Sequence, residues 1–326
     1  FKDEFQFNCK NSDDYEFDNL THISKAVPRI IAIGDLHGDL NLTLACLKLA
    51  KVIDDNLNWV AKPPNTVVVQ VGDQVDLCRP LPGKPCSNKD TVPDDENSDI
   101  IIMEFFYKLH KKALKQGGAV YSLLGNHEIM NVLGETKYVS YKGLKDFEKA
   151  INPKTNNKYI DEPKINVLYK KHMKHIIKNE LKTYIKNNQN STKEQINKKK
   201  NYLKKNQDLL YPIEKGRVVR KYLFRRGNKY AKFMACTRQT ALIIGSNLFV
   251  HAAIMPKLAK EFKGDDGIKN LNILIRRWLL NIIKLTDDVP NIGKVKDILT
   301  NYELSPFWPR FLGNLKNNVP IPSRRG

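Results

Sequence analysis

Arg29-Ile30-Ile31-Ala32-Ile33-Gly34-Asp35-Leu36-His37-Gly38-Asp39 is an apolar run that stops at glycine and then delivers two carboxylates and an imidazole within five residues. The run predicts a buried strand over Arg29–Gly34. Asp39 stands before the apolar run Leu40 to Ile53 and suits a helix N-cap. The same grammar recurs outward along the chain. Thr66–Val71 is a second β-branched strand and ends in Gly72-Asp73-Gln74-Val75-Asp76. A helical run from Asp99 to Gln116 follows Ser98 and is stopped by Gly117-Gly118. Ala119–Leu124 is a third strand and runs into Gly125-Asn126-His127-Glu128. Ala241–Val250 reads as a hairpin turning at Gly245-Ser246-Asn247, and His251-Ala252-Ala253 closes it. Gly267–Leu285 reads as a strongly apolar helix. Strands alternating with helices point to an α/β architecture. In such folds sites gather at strand ends, and Asp, His and Asn there are oxygen and nitrogen ligands for borderline first-row metals.

The chain has 326 residues, a net charge of +20, 41% hydrophobic and 28% charged residues. That length supports a large core. No apolar run approaches the roughly 18 residues of a membrane span. Five cysteines do not make a dense disulfide framework. A transmembrane helix, a collagen-like chain and a disulfide miniprotein are therefore excluded. The sequence opens at Phe1 without an initiator Met, as expected if an upstream targeting segment had been removed; the compartment stays open. Residues 1–28 read as an N-terminal extension and 29–326 as one domain, interrupted by a Lys/Asn-rich insertion at about 152–212.

The positive charge is concentrated. Residues 151–230 hold 22 Lys+Arg and 6 Asp+Glu, which is +16 of the +20. Tyr169, Met173, Ile176, Ile177, Leu181, Tyr184 and Ile185 form the apolar stripe of an amphipathic helix. From Asn187 to Asn206 apolar content is too low for a core, and a mobile stretch or a solvated helix is expected. The insertion is either a solubilising surface or a dock for an acidic partner or a membrane surface. It lacks the interleaved aromatics that stack bases, which disfavours nucleic acid.

The four strand-end clusters, in this order, resemble the signatures G-D-x-H-G, G-D-x-x-D-R-G, G-N-H-E and H-G-G of the phosphoprotein phosphatase superfamily. Val67–Asp76, Gly125–Leu133 and Phe249–Ile254 are most similar to Shewanella-like phosphatases. The resemblance implies a calcineurin-like metallophosphoesterase fold, with two mixed β-sheets packed face to face and flanked by helices. It implies two metal ions, with manganese expected in vitro and iron or zinc possible. Asp35 and His37 would hold the first, Asn126 and His251 the second, and Asp73 would bridge both. It implies a metal-held hydroxide as nucleophile. His127 would be the general acid, oriented by Asp76. Arg310, after Pro306-Phe307-Trp308-Pro309, resembles a late phosphate-binding arginine. The activity implied is hydrolysis of phosphomonoesters on phosphoproteins, phosphotyrosine or phosphoserine/threonine.

Three positions depart from the pattern. Leu77 stands where the family carries a phosphate-binding Arg, and Arg79, two residues on, is the substitute within reach. Ala253 stands at the second Gly of H-G-G, where it would strain a left-handed turn. No histidine follows His251, so the last ligand of the second metal is missing and the domain reads as lacking its last strands. His172 and His175 flank the insertion stripe and read as surface residues; His110 and His22 read as structural. Cys78 and Cys86 bracket the Arg79 loop, either as a disulfide or as two thiols, while Cys9, Cys46 and Cys236 read as ordinary cysteines. Two other functions fit the same residues: a phosphodiesterase or nucleotide phosphoesterase, and a catalytically impaired metal-binding scaffold that docks through the insertion.

Overall fold

The computed structural model describes residues 22–151, 160–264 and 266–310. In chain order the first half runs β1 (Ile23–Ser24), β2 (Ile30–Ile33), α1 (Leu40–Leu49), β3 (Val67–Gln70), α2 (Asp99–Leu114), β4 (Ala119–Leu123), α3 (Asn126–Leu133) and α4 (Tyr141–Lys145). A short 3-10 turn then precedes α5 (Glu162–Asn187), α6 (Lys193–Lys205), α7 (Gln207–Leu210), α8 (Glu214–Phe224) and α9 (Lys229–Thr237). The chain continues through β5 (Arg238–Gln239), β6 (Ala241–Ile244), β7 (Asn247–Val250), α10 (Pro256–Glu261), α11 (Gly267–Leu279), β8 (Asp288–Val289), β9 (Gly293–Lys294) and α12 (Val295–Thr300).

The central sheet has the order β2-β3-β4-β5, and every pair is parallel. All four residues of β3 are buried, as expected of a parallel strand covered on both faces. Val67 and Val69 point toward the second sheet and share a core with Leu242 and Ile244. Val68 and Val120 point the other way and pack with Leu47 of α1 and Phe106 of α2. The second sheet, β1-β6-β7, is mixed: β1 is parallel to β6, and β6 and β7 form the expected hairpin, with Ile244 pairing Asn247. Face-to-face packing therefore holds, but only one of the two sheets is mixed. The larger one is all-parallel because each of its strands is reached by a crossover, the last of which contains the whole insertion. A third core, around Phe224, Trp278 and Phe307, joins α8 and α11 to the segment after α12.

Two helices stop earlier than their apolar runs. α1 ends at Leu49, just before Lys51 turns left-handed (φ 52°), and α11 ends at Leu279, before Asn281 does the same (φ 66°). Asp39 caps α1 as expected, its side chain accepting from Leu42 N at 2.7 Å.

The insertion is a helical hairpin. The stretch from Asn187 to Asn206 contains the solvated helix α6, started by a reciprocal cap between Thr192 and Gln195 and burying only Leu203. Residues 152–159 of the insertion lie outside the described residues. Met173 and Ile177 of the α5 stripe are buried. No described helix is long and apolar enough to cross a membrane. His172 is not a free surface residue: its Nε2 lies 2.5 Å from Glu214 of α8, whose carboxylate also accepts from Arg217. His175 is exposed beside Asn179, whereas His110 accepts from Val120 N and His22 meets Asn272, both structural roles.

Burial pushes the Glu214 pKa up, but the bond from His172 and the charge of Arg217 outweigh it and hold the group below its usual value. A depressed carboxylate stabilises the fold above its unfolded pKa and loses that contribution as pH falls through the folded value. Glu214→Gln is expected to cost about 1–3 kcal/mol near neutral pH. The difference from the parent should shrink toward zero as urea-unfolding curves are taken below the carboxylate range.

Candidate metal centre

The carboxyl ends of β2, β3 and β4 and the end of β7 converge, so both sheets feed one site. The first two loops are stitched by backbone bonds: Leu36 N and His37 N both donate to Asp73 O, and Gly38 N donates to Gln74 O. His37, Asp73 and Asp76 have positive φ (45°, 54° and 73°), a region that costs a non-glycine residue on the order of 1 kcal/mol or more. The strain expected at Ala253 is not there, since its φ is not positive. The backbone conformation that L-residues avoid is carried by the candidate site residues themselves. At Gly125 the approach is too close for a side chain: a Cβ would lie 2.2 Å from Asp73 Oδ1.

Asp73 is the hub. Its Oδ1 accepts from His127 N at 2.9 Å. Its Oδ2 lies 3.5 Å from His251 Nε2, 3.9 Å from His127 Nε2 and 4.0 Å from His37 Nε2. Asp35 lies 3.6 Å from His37 Nε2 and 3.9 Å from His251 Nδ1. Two donor groups result, His37/Asp73/His127 and Asp35/Asp73/His251, each with its ligand atoms within 4.8 Å and Asp73 in both. The shared carboxylate is as expected. The grouping differs, because Asp35 reaches toward His251 as well as His37, and His127 stands within the donor cluster rather than apart from it.

The proton inventory shows that these residues fit a cation. His251 Nδ1 donates to Val71 O at 2.9 Å, which leaves the Nε2 lone pair of the neutral ring facing Asn126 Oδ1 at 2.9 Å and Asp73 Oδ2. Asn126 Oδ1 is itself an acceptor, taking a bond from Arg310 Nη2 at 3.0 Å. His37 Nδ1 faces Val75 O at 3.3 Å, and its Nε2, beside the carboxylates, meets the Arg79 Nη2 donor at 2.6 Å. Acceptors aimed at acceptors are repulsive unless a positive charge sits among them, and donor separations of about 3–4 Å suit ligands sharing an ion with bonds near 2.1 Å. The Asp35 carboxyl is held below its usual range, first by its bond with His37.

Beside the hub lies a hydrogen-bonded imidazole–carboxylate pair. His127 Nδ1 is 2.8 Å from Asp76 Oδ2, with both residues buried. Burial pulls the His127 pKa down, but the bond to Asp76 and the charge of Asp73 outweigh it and raise it above an ordinary histidine.

Both candidate arginines reach the site. Arg79 Nη2 lies 2.6 Å from His37 Nε2, and its Nη1 donates to the carbonyls of Asp76 and Cys78. Its guanidinium sits over Tyr138, 5.4 Å from the ring centre. Of the two states open for Cys78 and Cys86, the structure has the disulfide, which closes the loop carrying Arg79. Cys236, expected to be ordinary, is also disulfide-bonded; Cys46 is free, and Cys9 lies outside the described residues.

Four supporting residues have roles that the sequence analysis does not assign. Glu128 accepts from the backbone N–H groups of Gly125, Asp73 and Gln74, at 2.8, 2.9 and 2.8 Å. Burial, then the nearby Asp73 charge, push its carboxyl pKa up against those three donors. Asn131 donates to Asp76 Oδ1 at 2.9 Å. Arg220 of α8, fully buried, donates to Asn131 Oδ1 at 2.9 Å and to Asp99 Oδ2 at 2.7 Å, and approaches Asp76 Oδ1 at 3.4 Å. Asp99 accepts from Asp76 N at 3.1 Å. Asn131 stands one helical turn after His127, which was a readable signal. Arg220 is one cation among the 22 of the basic stretch, and nothing local marks it.

Residues 28–229 match the family model described as calcineurin-like phosphoesterase. An uncharacterized protein of Acanthamoeba polyphaga mimivirus, R398, is 30% identical over 68% of this chain and 66% of its own length. Shewanella-like protein phosphatase 2 of Arabidopsis thaliana is 38% identical over 37% of this chain and 26% of its own. Shewanella-like protein phosphatase 1 of Plasmodium berghei is 34% identical over 40% and 30%. The chain thus spans less than two thirds of the length of each of these relatives. Among solved structures, a cold-active protein tyrosine phosphatase aligns with a TM-score of 0.49 at 17% identity, over 92% of this chain and 60% of that one. The family match covers the strand ends from Asp35 to His127 and continues through Arg220, and the chain belongs to the calcineurin-like phosphoesterases.

Proposed function

We propose that the protein is a metal-dependent phosphatase that hydrolyses phosphomonoesters on phosphoproteins. The observation that carries this reading is the buried Asp76–His127 pair at 2.8 Å, placed against the Asp73 hub. A phosphomonoester of serine or tyrosine leaves as an oxyanion that needs a proton, and this pair is built to supply one. Likeness to the two Shewanella-like phosphatases supports the substrate class.

Asp35, His37, Asp73, Asn126 and His251 would hold two divalent ions, manganese, iron or zinc. Such a pair, when bound, polarises the phosphoryl group and lowers the pKa of a water. The chain's own residues do the rest. Asp76 takes the Nδ1 proton of His127 in a hydrogen bond and so leaves the second proton on Nε2, the nitrogen turned to the hub. Nε2 gives that proton to the leaving oxygen. Arg79 and Arg310 present guanidinium donors beside His37 and Asn126 respectively, and bind phosphoryl oxygens. Asn131 and Arg220 keep Asp76 aimed at the imidazole.

Asp73→Asn should abolish metal-dependent phosphate release from phosphotyrosine and phosphoserine peptides assayed side by side. Survival of turnover in that variant, or faster cleavage of bis-p-nitrophenyl phosphate than of the monoester, would sink the proposal. His127→Asn is expected to lower kcat on phosphoserine by about 10²–10⁴. It should cost much less on p-nitrophenyl phosphate, whose leaving group departs without a proton. A general acid works only while protonated, so the raised pKa of His127 predicts that kcat falls as pH rises through a value above that of ordinary histidine. Asp76→Asn should move that fall to lower pH.

Arg220 lies between two buried carboxylates, and burial pushes the pKa of Asp99 up despite it. Removing one member of such a cluster strands charge in the core. Arg220→Met should destabilise the protein by about 3–5 kcal/mol in urea unfolding, and Asp99→Asn added to it should restore part of the loss.

A further inference from the structure

The insertion carries a surface that the proposed chemistry does not use. Along α5, Tyr169, Met173, Ile177, Leu181 and Ile185 are spaced by four and form one apolar ridge. Lys170, Lys174, Lys178 and Lys182 form the adjacent ridge at the same spacing. Rows of residues four apart wind gradually about a helix as inclined ridges, and these two neighbouring rows run side by side. Across from them, Lys200 and Lys204 of α6 make a second basic rim. The groove between has a volume of about 750 Å³, and no carboxylate is among its lining residues. From Tyr169 to Ile185 it runs about 24 Å at 1.5 Å per residue.

We propose that this groove docks an amphipathic helix of a partner protein, one whose apolar stripe is flanked by Asp and Glu on both sides. The match is double: an apolar floor for side chains at i, i+4 spacing, and lysines on both rims for the flanking carboxylates. Met173 and Ile177, 2% and 7% exposed, form the base of the groove, and the apolar area open to a partner lies at Tyr169, Leu181 and Ile185, the last 42% exposed. A second copy of this chain would bring its own lysines against these. The one aromatic ring of the floor, Tyr169, is tied by its hydroxyl to Asp208 at 2.7 Å and is not presented for base stacking. The inference does not rest on the phosphatase reading, because the groove lies on α5 and α6, away from the strand ends.

The test uses the 1–326 chain in chelator and a fluorescein-labelled helical peptide of about 16 residues, matched to the groove length, with leucines on one stripe and glutamates flanking it. Anisotropy should report saturable binding that weakens as salt is raised. The triple variant Lys174→Glu, Lys178→Glu and Lys204→Glu should weaken it by about tenfold or more. A peptide of identical composition with the stripe scattered should lose binding equally. These lysines are exposed and lie outside the candidate centre, so circular dichroism and phosphate release by the triple variant should match the parent. Three results would overturn the proposal. One is equal binding of the scattered peptide, which would reveal polyanion attraction only. Another is binding to phosphatidylserine vesicles without binding to the peptide. The third is no peptide binding at low salt.

Discussion

A single buried carboxylate holds the candidate centre in shape. Glu128 accepts three backbone N–H groups, one from the β4 loop and two from the β3 loop, and so locks the ends of two neighbouring strands together. Those donors belong to loops whose backbone is otherwise unfavourable: Asp73 and Asp76 sit in the left-handed region. Strained residues persist only where surrounding bonds over-determine them. The same two loops present the hub carboxylate and the His127 partner. Without Glu128 the strain at Asp73 would relax, and Oδ2 would leave the three imidazoles it faces. A buried carboxylate with three N–H donors is a stiff brace, and stiffness is what a multi-ligand site needs.

A second brace acts from the other side. Arg220 reaches from α8 into a cluster of Asp76, Asp99 and Asn131 that no water-exposed residue could organise. Burying such charges is costly, and hydrophobic packing would serve stability as well or better. The cluster makes physical sense if its purpose is orientation. It fixes both oxygens of Asp76, one on Asn131 and one on His127, so the imidazole has one tautomer and one direction. The two braces, Glu128 behind Asp73 and Arg220 behind Asp76, explain how residues three apart in sequence take such different tasks, one facing the hub and one the imidazole.

What the sequence disclosed follows from where chemistry breaks pattern. Asp35, His37, Asp73, Asn126, His127 and His251 were legible because each interrupts an apolar strand at its end, and the structure brings all of them together. Arg79 was legible by its place two residues after Leu77, although its reach depends on a loop closed by a disulfide that spacing alone left open. Arg220 was not legible, because its role comes from burial and its neighbours in sequence are equally basic. The all-parallel order of the main sheet was hidden for a related reason: β5 is two residues long and follows more than a hundred residues after β4. The partner of His172 was not legible, because helical periodicity places a residue on a face but does not say what packs against that face. Here Glu214 of α8 does.

The insertion and the centre are joined by that same helix. α5 is clipped to α8 through His172–Glu214, and Glu214 is tied through Arg217 to Thr136, just beyond α3, which begins with Asn126 and His127. Less than one turn beyond Arg217 on α8 stands Arg220, with its guanidinium on the Asp76 cluster. A large basic hairpin could have been placed in any surface loop without touching the chemistry. Instead it packs on the helix that braces the Asp76–His127 pair. Rigid helices transmit displacement more faithfully than loops, but coupling requires an element with two arrangements. The contacts here are polar and partly buried, and together they favour one arrangement. The insertion is therefore best understood as a buttress for α8 on its inner face and as a separate, lysine-rimmed surface on its outer one.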